Sequence, residues 1–267
     1  MRIGRLAGAV LAAGAGVAAQ SSTCADGLYM IVARGTNEDD GPGSMGELAD
    51  RVAGRIQGSQ VVGLEYPATF VDPFYAESVE AGAEAMREIV TRYHSDCPGS
   101  YFAVMGFSQG AQLTGDAFCG GTGVLTRNDP LPSNIVQENV VAIVLFGDPA
   151  HTTEAPYNHG TSTNDGIFAR HDIGVCQDYA DRLVSYCDTG DIYCDRGDDR
   201  DVHGQYVAEY GDDVFNFIVG RYDEMLRSPP SNSSGSSSGS DDEAAAGTYL
   251  PSLVVAVVPM LVAALMM

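Results

Sequence analysis

Five short stretches of the chain are apolar at nearly every position: LYMIVARG (28–35), VVGLEY (61–66), YFAVMGFS (101–108), VVAIVLFGD (140–148) and LVSYCDTGD (183–191). A run with no polar alternation leaves neither of its faces for water, which is the pattern of strands buried on both sides of a parallel sheet. Between these runs the apolar positions are spaced by three and four. The longest such segment, 73–96, places Tyr75, Val79, Ala83, Met86, Ile89, Val90 and Tyr93 on one face. Beyond Gly204 the same spacing passes through Val207, Tyr210, Val214, Phe217, Ile218, Tyr222 and Met225. Strand patterns alternating with helix patterns predict an α/β fold, doubly wound, with a mainly five-stranded parallel sheet and helices on both faces. Ligand chemistry is expected at the carboxyl ends of the strands. There is no internal repeat and no insertion long enough to suggest a lid.

Both ends of the chain depart from the alternation. Residues 1–19 carry Arg2 and Arg5 ahead of an uncharged run from Leu6 to Ala19, with Val17 and Ala19 as the small residues of a cleavage site. This is the layout of a secretory signal peptide, and the run is short and weakly apolar against the ~20 residues that a membrane span needs. Residues 228–247 are rich in Ser and Gly and cannot build a core, while 248–267 form an apolar tail that no basic residue follows. The combination is expected to direct a glycosylphosphatidylinositol (GPI) anchor, attached between Gly235 and Ser240, with a tail-end transmembrane helix as the alternative. Asn232 opens an Asn-Ser-Ser glycosylation sequon within the stalk. Residues 20–227 remain for a single domain around one core.

Charge narrows the choice of partners. Acidic residues number 36 against 14 basic ones, every one of them Arg, for a net charge of −22. A surface of that sign repels phosphate backbones, so nucleic acid is not an expected partner. The six cysteines of a secreted chain are expected to be oxidised in pairs, in a connectivity that spacing alone does not decide.

The segment CDTGDIYCDRGDDRDVHG, Cys187 to Gly204, gathers two cysteines, six aspartates and a histidine, all of them metal-ligand types. Oxidation of Cys187 and Cys194 removes both thiolates from a zinc site. Arg200 also stands where a calcium loop of the EF-hand type needs glycine. No metal or cofactor is therefore expected.

Serine chemistry has a stronger claim. The third apolar run ends in GFSQG, Gly106 to Gly110, followed by the helical AQLTGDAFCG. This is G-x-S-x-G with a strand before it and a helix after it, the context in which the central serine is held strained with its hydroxyl presented. Ser108 is the candidate nucleophile, and the backbone N–H of Gln109 would face a developing oxyanion. A serine hydroxyl needs a base, and the chain has five histidines. His94 ends a helix at the far edge of the sheet, and His159 and His171 are expected to be structural. His151, after the fourth strand, is the rival base. The order serine, acid, histidine that α/β-hydrolases follow selects Asp191 and His203 instead. The aspartates at 188, 195, 198, 199 and 201 are then expected to form a solvated rim.

The chain from about Cys24 to Arg227 resembles the cutinases and their acetylxylan esterase relatives. The resemblance rests on ARGTNE after the first strand, GFSQG, FGDPAHTTEAPYNHGT after the fourth strand, SYCDTGDIYC and VHGQY. It implies Ser108 as nucleophile, Asp191 as acid and His203 as base, with the Thr36 hydroxyl and the Gln109 N–H forming the oxyanion hole. It also implies the disulfides Cys24–Cys97 and Cys187–Cys194 and, from the acetylxylan esterase branch, Cys119–Cys176. The expected protein is a secreted, cell-surface, monomeric carboxylic ester hydrolase acting on a polysaccharide or polyester ester, leaning to acetylxylan and touching membrane only through its lipid anchor. Cutin or short aliphatic esters are the alternative substrates. A non-catalytic wall-anchored carbohydrate-binding protein on the same fold would be marked by a broken triad, and here all three residue types are present.

Overall fold

A computed structural model describes residues 24–123 and 125–228. The signal peptide at 1–19, Asn232, the GPI attachment region and the apolar tail lie outside the described residues. Strands β1 (Leu28–Ala33), β2 (Gln60–Gly63), β3 (Tyr101–Phe107), β4 (Val140–Phe146), β5 (Asn158–His159) and β6 (Leu183–Tyr186) form one sheet. Its order is β2-β1-β3-β4-β6-β5, and every pairing is parallel. β4 is buried along its whole length and β3 along all but its end residues, as an uninterrupted apolar run requires.

Helices α1 (Gly46–Arg55), α2 (Tyr75–Asp96), α3 (Gln109–Cys119), α4 (Ser133–Asn139), α5 (Gly174–Gln177), α6 (Arg200–His203) and α7 (Tyr206–Arg227) complete the fold. One face of the sheet packs α1 and α7 through Leu48, Val52, Tyr206, Val214, Ile218 and Met225. The other packs α2 and α3 through Val79, Met86, Val90, Leu113 and Phe118. Each such side chain removed from water contributes roughly 1.5–3 kcal/mol, so these two layers hold the helices in place.

The expected five strands become six. β5 contributes only Asn158 and His159, which pair with Ser185 and Tyr186 of β6. Two polar residues carry no periodic signal, and pairing arises because the 150–160 loop runs back along an otherwise open edge. His159 stacks on Tyr186 at a centroid distance of 5.0 Å, in keeping with a structural role. The run at 183–191 stops being strand at Tyr186, where Cys187 turns into a disulfide ring.

Three disulfides are formed, Cys24–Cys97, Cys119–Cys176 and Cys187–Cys194, the pairing that the resemblance implies. The first two close long loops, with sequence separations of 73 and 57. By loop-closure entropy they stabilise by about 4 kcal/mol each, and the tight third ring by about 2.5.

The chain order reverses between β1 and β3, which lie side by side, so the loops leaving their carboxyl ends open onto one crevice. Gly106 and Gly110 make this edge possible. A Cβ at Gly110 would overlap the carbonyl oxygens of Ala33 and Arg34, and one at Gly106 would overlap the Gly110 carbonyl. The first turn of α3 thus rests directly on the end of β1. Replacing Gly110 by Ala is expected to destabilise the fold by about 3 kcal/mol through overpacking against backbone, measured by chemical denaturation.

Candidate active site

Ser108 sits between β3 and α3 with φ 54° and ψ −117°, a left-sided conformation that a side-chain-bearing residue adopts only where its surroundings impose it. Its N–H donates to the Phe146 carbonyl at 2.8 Å and its own carbonyl accepts from Ala111 and Gln112. The turn is therefore clamped between β4 and α3. Gln109 heads α3, so its N–H belongs to the first-turn amides that have no intrahelical acceptor. Its side chain is buried and bridges two elements: Ser78 donates to Oε1 at 2.8 Å, and Nε2 donates to the Thr69 carbonyl at 2.9 Å.

His203 ends the short helix α6 and lies over the same edge. Its ring packs against Phe107 at 5.0 Å, and a Cβ at Gly147, next to Phe146, would stand 2.9 Å from its Cε1. His203 Nδ1 meets Asp191 Oδ2 at 2.8 Å. Asp191 is fully buried. Its Oδ1 accepts the N–H groups of Tyr193 (2.7 Å) and Cys194 (3.0 Å), and its Oδ2 also accepts the Tyr206 hydroxyl at 2.7 Å. Burial alone would push this carboxyl up; the bonds from His203, Tyr206 and Tyr193 outweigh it and hold the group below the usual carboxylate range. Its ionised form therefore contributes stability above that range, lost as pH falls through the lowered value.

The structure thus brings Ser108, His203 and Asp191 to one edge. Thr36 lies half-exposed on the loop after β1, which opens at the same edge. Arg34 fixes that loop: its buried guanidinium donates to the carbonyls of Glu38, Leu64 and Tyr66, while Tyr66 returns its hydroxyl to the Arg34 carbonyl. Sequence reasoning singled out neither Arg34 nor Tyr206, although both stand inside the quoted motifs ARGTNE and VHGQY. The missing signal is spatial, since nothing in either motif tells which buried group its polar atoms meet.

His151, the rival base, is buried after β4, and neither of its ring nitrogens has a hydrogen-bond partner among the described residues. Burial lowers its pKa and favours the neutral ring. The acid pairs with His203, not with His151.

The expected solvated rim is corrected at Asp195, which is buried, while half-buried Asp188 and exposed Asp199 also bond to the loops. Asp195 is buried and accepts from Ser162 Oγ (2.5 Å), the Gly190 N–H (2.8 Å) and Asn164, tying the 162–164 loop to the disulfide ring. Asp188 accepts from Thr161 and from the Tyr210 hydroxyl at 2.7 Å. Asp199 caps α6 by accepting the Asp201 N–H, and its backbone bridges to Asp191. Carboxylates here serve as acceptors for loop amides that strands and helices leave unpaired. Cys187 and Cys194 form a disulfide and so offer no thiolate to a metal.

A strained serine at a strand-to-helix turn, with a carboxylate–imidazole pair following it in chain order at the switch point of a parallel sheet, defines an α/β-hydrolase. The Cutinase family model matches residues 24–222. An acetylxylan esterase of Hypocrea jecorina is 32% identical over 212 residues, covering 76% of this chain and 70% of that protein. Cutinase 11 of Verticillium dahliae is 30% identical over 235 residues, covering 85% and 78%. The solved catalytic core domain of acetyl xylan esterase from Trichoderma reesei superposes with a TM-score of 0.69 at 33% identity, over 74% of this chain and all of that one. The chain belongs to the cutinase family.

Asp148, just past Gly147, is buried; desolvation raises its carboxyl to about 6 against the Ala150 N–H and Arg170, with Asp116 adding to the rise. A raised acid favours the fold fully below its unfolded value and loses that advantage as pH rises through about 6. Asp148→Asn should therefore gain stability relative to the wild type between pH 4 and pH 8, on the order of 2–3 kcal/mol, and a pH-independent difference in denaturation free energy would contradict this. Opening the small ring with Cys187→Ser and Cys194→Ser together should lower turnover about tenfold or more while costing only the roughly 2.5 kcal/mol of a short loop, since Asp191 takes two amide bonds from inside the ring. Unchanged turnover in the folded variant is the contrary result.

Proposed function

We propose that this protein hydrolyses carboxylic esters through an acyl-serine intermediate, with Ser108 as nucleophile, His203 as general base and Asp191 as its partner. The observation that carries the reading is the 2.8 Å His203–Asp191 pair, with the His203 ring packed on Phe107, the residue that precedes the strained Ser108. His203 Nε2 takes the Ser108 proton as Oγ attacks the ester carbonyl. The tetrahedral oxyanion is held by the Gln109 N–H and the Thr36 hydroxyl. Its collapse expels the alcohol, which leaves with the proton from His203. A water then gives a proton to the same nitrogen and attacks the acyl-serine, and the acid departs as Ser108 Oγ recovers the proton. Asp191 holds the imidazole in the tautomer with Nδ1 protonated and stabilises the cation that forms at each step.

Relatives named acetylxylan esterase, the Cys119–Cys176 bond and the PYNHGT loop favour acetylated xylan as substrate. A specific observation favours a second reading, cutin or other aliphatic esters. Phe70, Val71 and Phe74 are exposed on the loop whose Thr69 carbonyl holds Gln109, and exposed Ile167 adjoins Phe168, which packs on Tyr75. We further propose that the enzyme is secreted and monomeric, and that the stalk and tail tether it to the cell surface by a GPI anchor.

Acetylated xylan, p-nitrophenyl esters from C2 to C16 and cutin, assayed with wild type and Ser108→Ala, test the activity and rank the substrates. Hydrolysis of at least one should vanish in the variant, and activity that survives it, or none in the wild type, overturns the reading. Thr36→Ala should lower kcat on the best substrate about 100-fold with a smaller effect on KM, as loss of an oxyanion donor predicts.

A further inference from the structure

Tyr206, the first residue of α7, is buried, and its hydroxyl makes three contacts that leave its proton one destination. The Asp188 N–H donates to the oxygen at 3.0 Å, occupying one lone pair. Cys194 Sγ lies at 3.2 Å but belongs to a disulfide, so it brings no proton and is a weak acceptor. Asp191 Oδ2, at 2.7 Å, is a charged acceptor and the strongest of the three. The phenol proton is committed to it. Ring packing against Phe146 at 5.9 Å fixes the direction from which the hydroxyl arrives.

We infer that Tyr206 is a positioning residue that sets the strength of the acid–base pair by sharing Asp191 Oδ2 with His203 Nδ1; the inference rests on the proposed role of that pair. One oxygen divides its electron density between two donors. A donor that draws on Oδ2 makes the carboxylate less basic, so the imidazolium opposite it is stabilised less. Without the hydroxyl, Asp191 would bind the His203 cation more tightly, and the base would stay protonated to a higher pH. The other groups that meet this pair do not perform the same task. Tyr193 and Cys194 bond to Oδ1 through backbone, Tyr193 presents its ring to His203 at 4.6 Å, Phe107 is apolar, and the buried His151 acts on Asp191 through space. On α6 itself, Arg200 and Asp201 are exposed.

Two isosteric changes of opposite sign test this. Tyr206→Phe removes the proton and should move the acid limb of kcat/KM for p-nitrophenyl acetate up by about half a pH unit. Site-specific 3-fluorotyrosine at 206 keeps the size of the ring and strengthens the donor, so the limb should move down. Titration of the labelled His203 imidazole by NMR reads the same two shifts without any substrate. It therefore remains decisive if the esterase reading itself fails, a failure that inactive wild-type enzyme would reveal separately. Should Tyr206→Phe not fold, the fluorinated protein alone decides. Shifts of opposite sign in the two proteins, or the downward shift in the fluorinated one alone, support the role. A limb and titration unmoved, or moved in the wrong direction, reduce Tyr206 to packing.

Discussion

A carboxylate with no exposure to water is costly unless its lone pairs are filled, and the fold around Asp191 is arranged to fill them. Its four donors come from three places: two backbone amides of the disulfide ring, an imidazole on α6 and a phenol on α7. Removing any one contributor leaves part of a buried charge unsatisfied. The ring, the short helix and the long helix must therefore meet at one point. That requirement places His203 over the carboxyl edge of the sheet, where β3 and β4 hold Ser108.

The same logic accounts for the acidity of the segment around it. Loops that leave a sheet carry amide donors with no ladder partner, and Asp188, Asp195 and Asp199 accept from such donors or from hydroxyls that anchor the loops. Aspartate is suited to this because its charge strengthens each bond, whether to a near neighbour, as Asp199 to the Asp201 N–H, or to a distant loop, as Asp188 to Thr161. The buried and half-buried members of the run, Asp191, Asp195 and Asp188, are the internal scaffold of an irregular region. Asp198, Asp199 and Asp201 are the exposed members of the run.

Much of the fold could be read from the sequence because it depends on periodicity. Continuous apolar runs marked β1, β2, β3, β4 and β6, and the three- and four-residue spacing marked α2 and α7. β5 could not be found in this way, since a two-residue strand has no period. At the site, local chemistry singled out Ser108, because strain at the elbow demands glycine at 106 and 110, and those glycines are visible. Asp191 and His203 needed chain order to be separated from their acidic neighbours. Arg34 and Tyr206 escaped notice, and Asp195 was assigned to a solvated rim, because their value lies in which distant atom each one meets, and nothing in the spacing of residues records that.

Gln109 couples the chemistry to the mouth of the site. Its backbone N–H heads α3 beside Ser108, while its side chain is pinned by Ser78 and itself holds the Thr69 carbonyl, at the base of the loop that exposes Phe70, Val71 and Phe74. Tyr75, at the other end of that loop, is bonded to Gln112 one turn further along α3. The apolar rim is thus fastened at both ends to the helix that supplies the proposed oxyanion donor. A change in the loop that altered its grip on Gln109 would reach the proposed oxyanion amide through a single residue. Side chains at 70, 71 and 74, which point outward and bear none of these bonds, are the positions at which substrate preference can vary without disturbing the reacting centre.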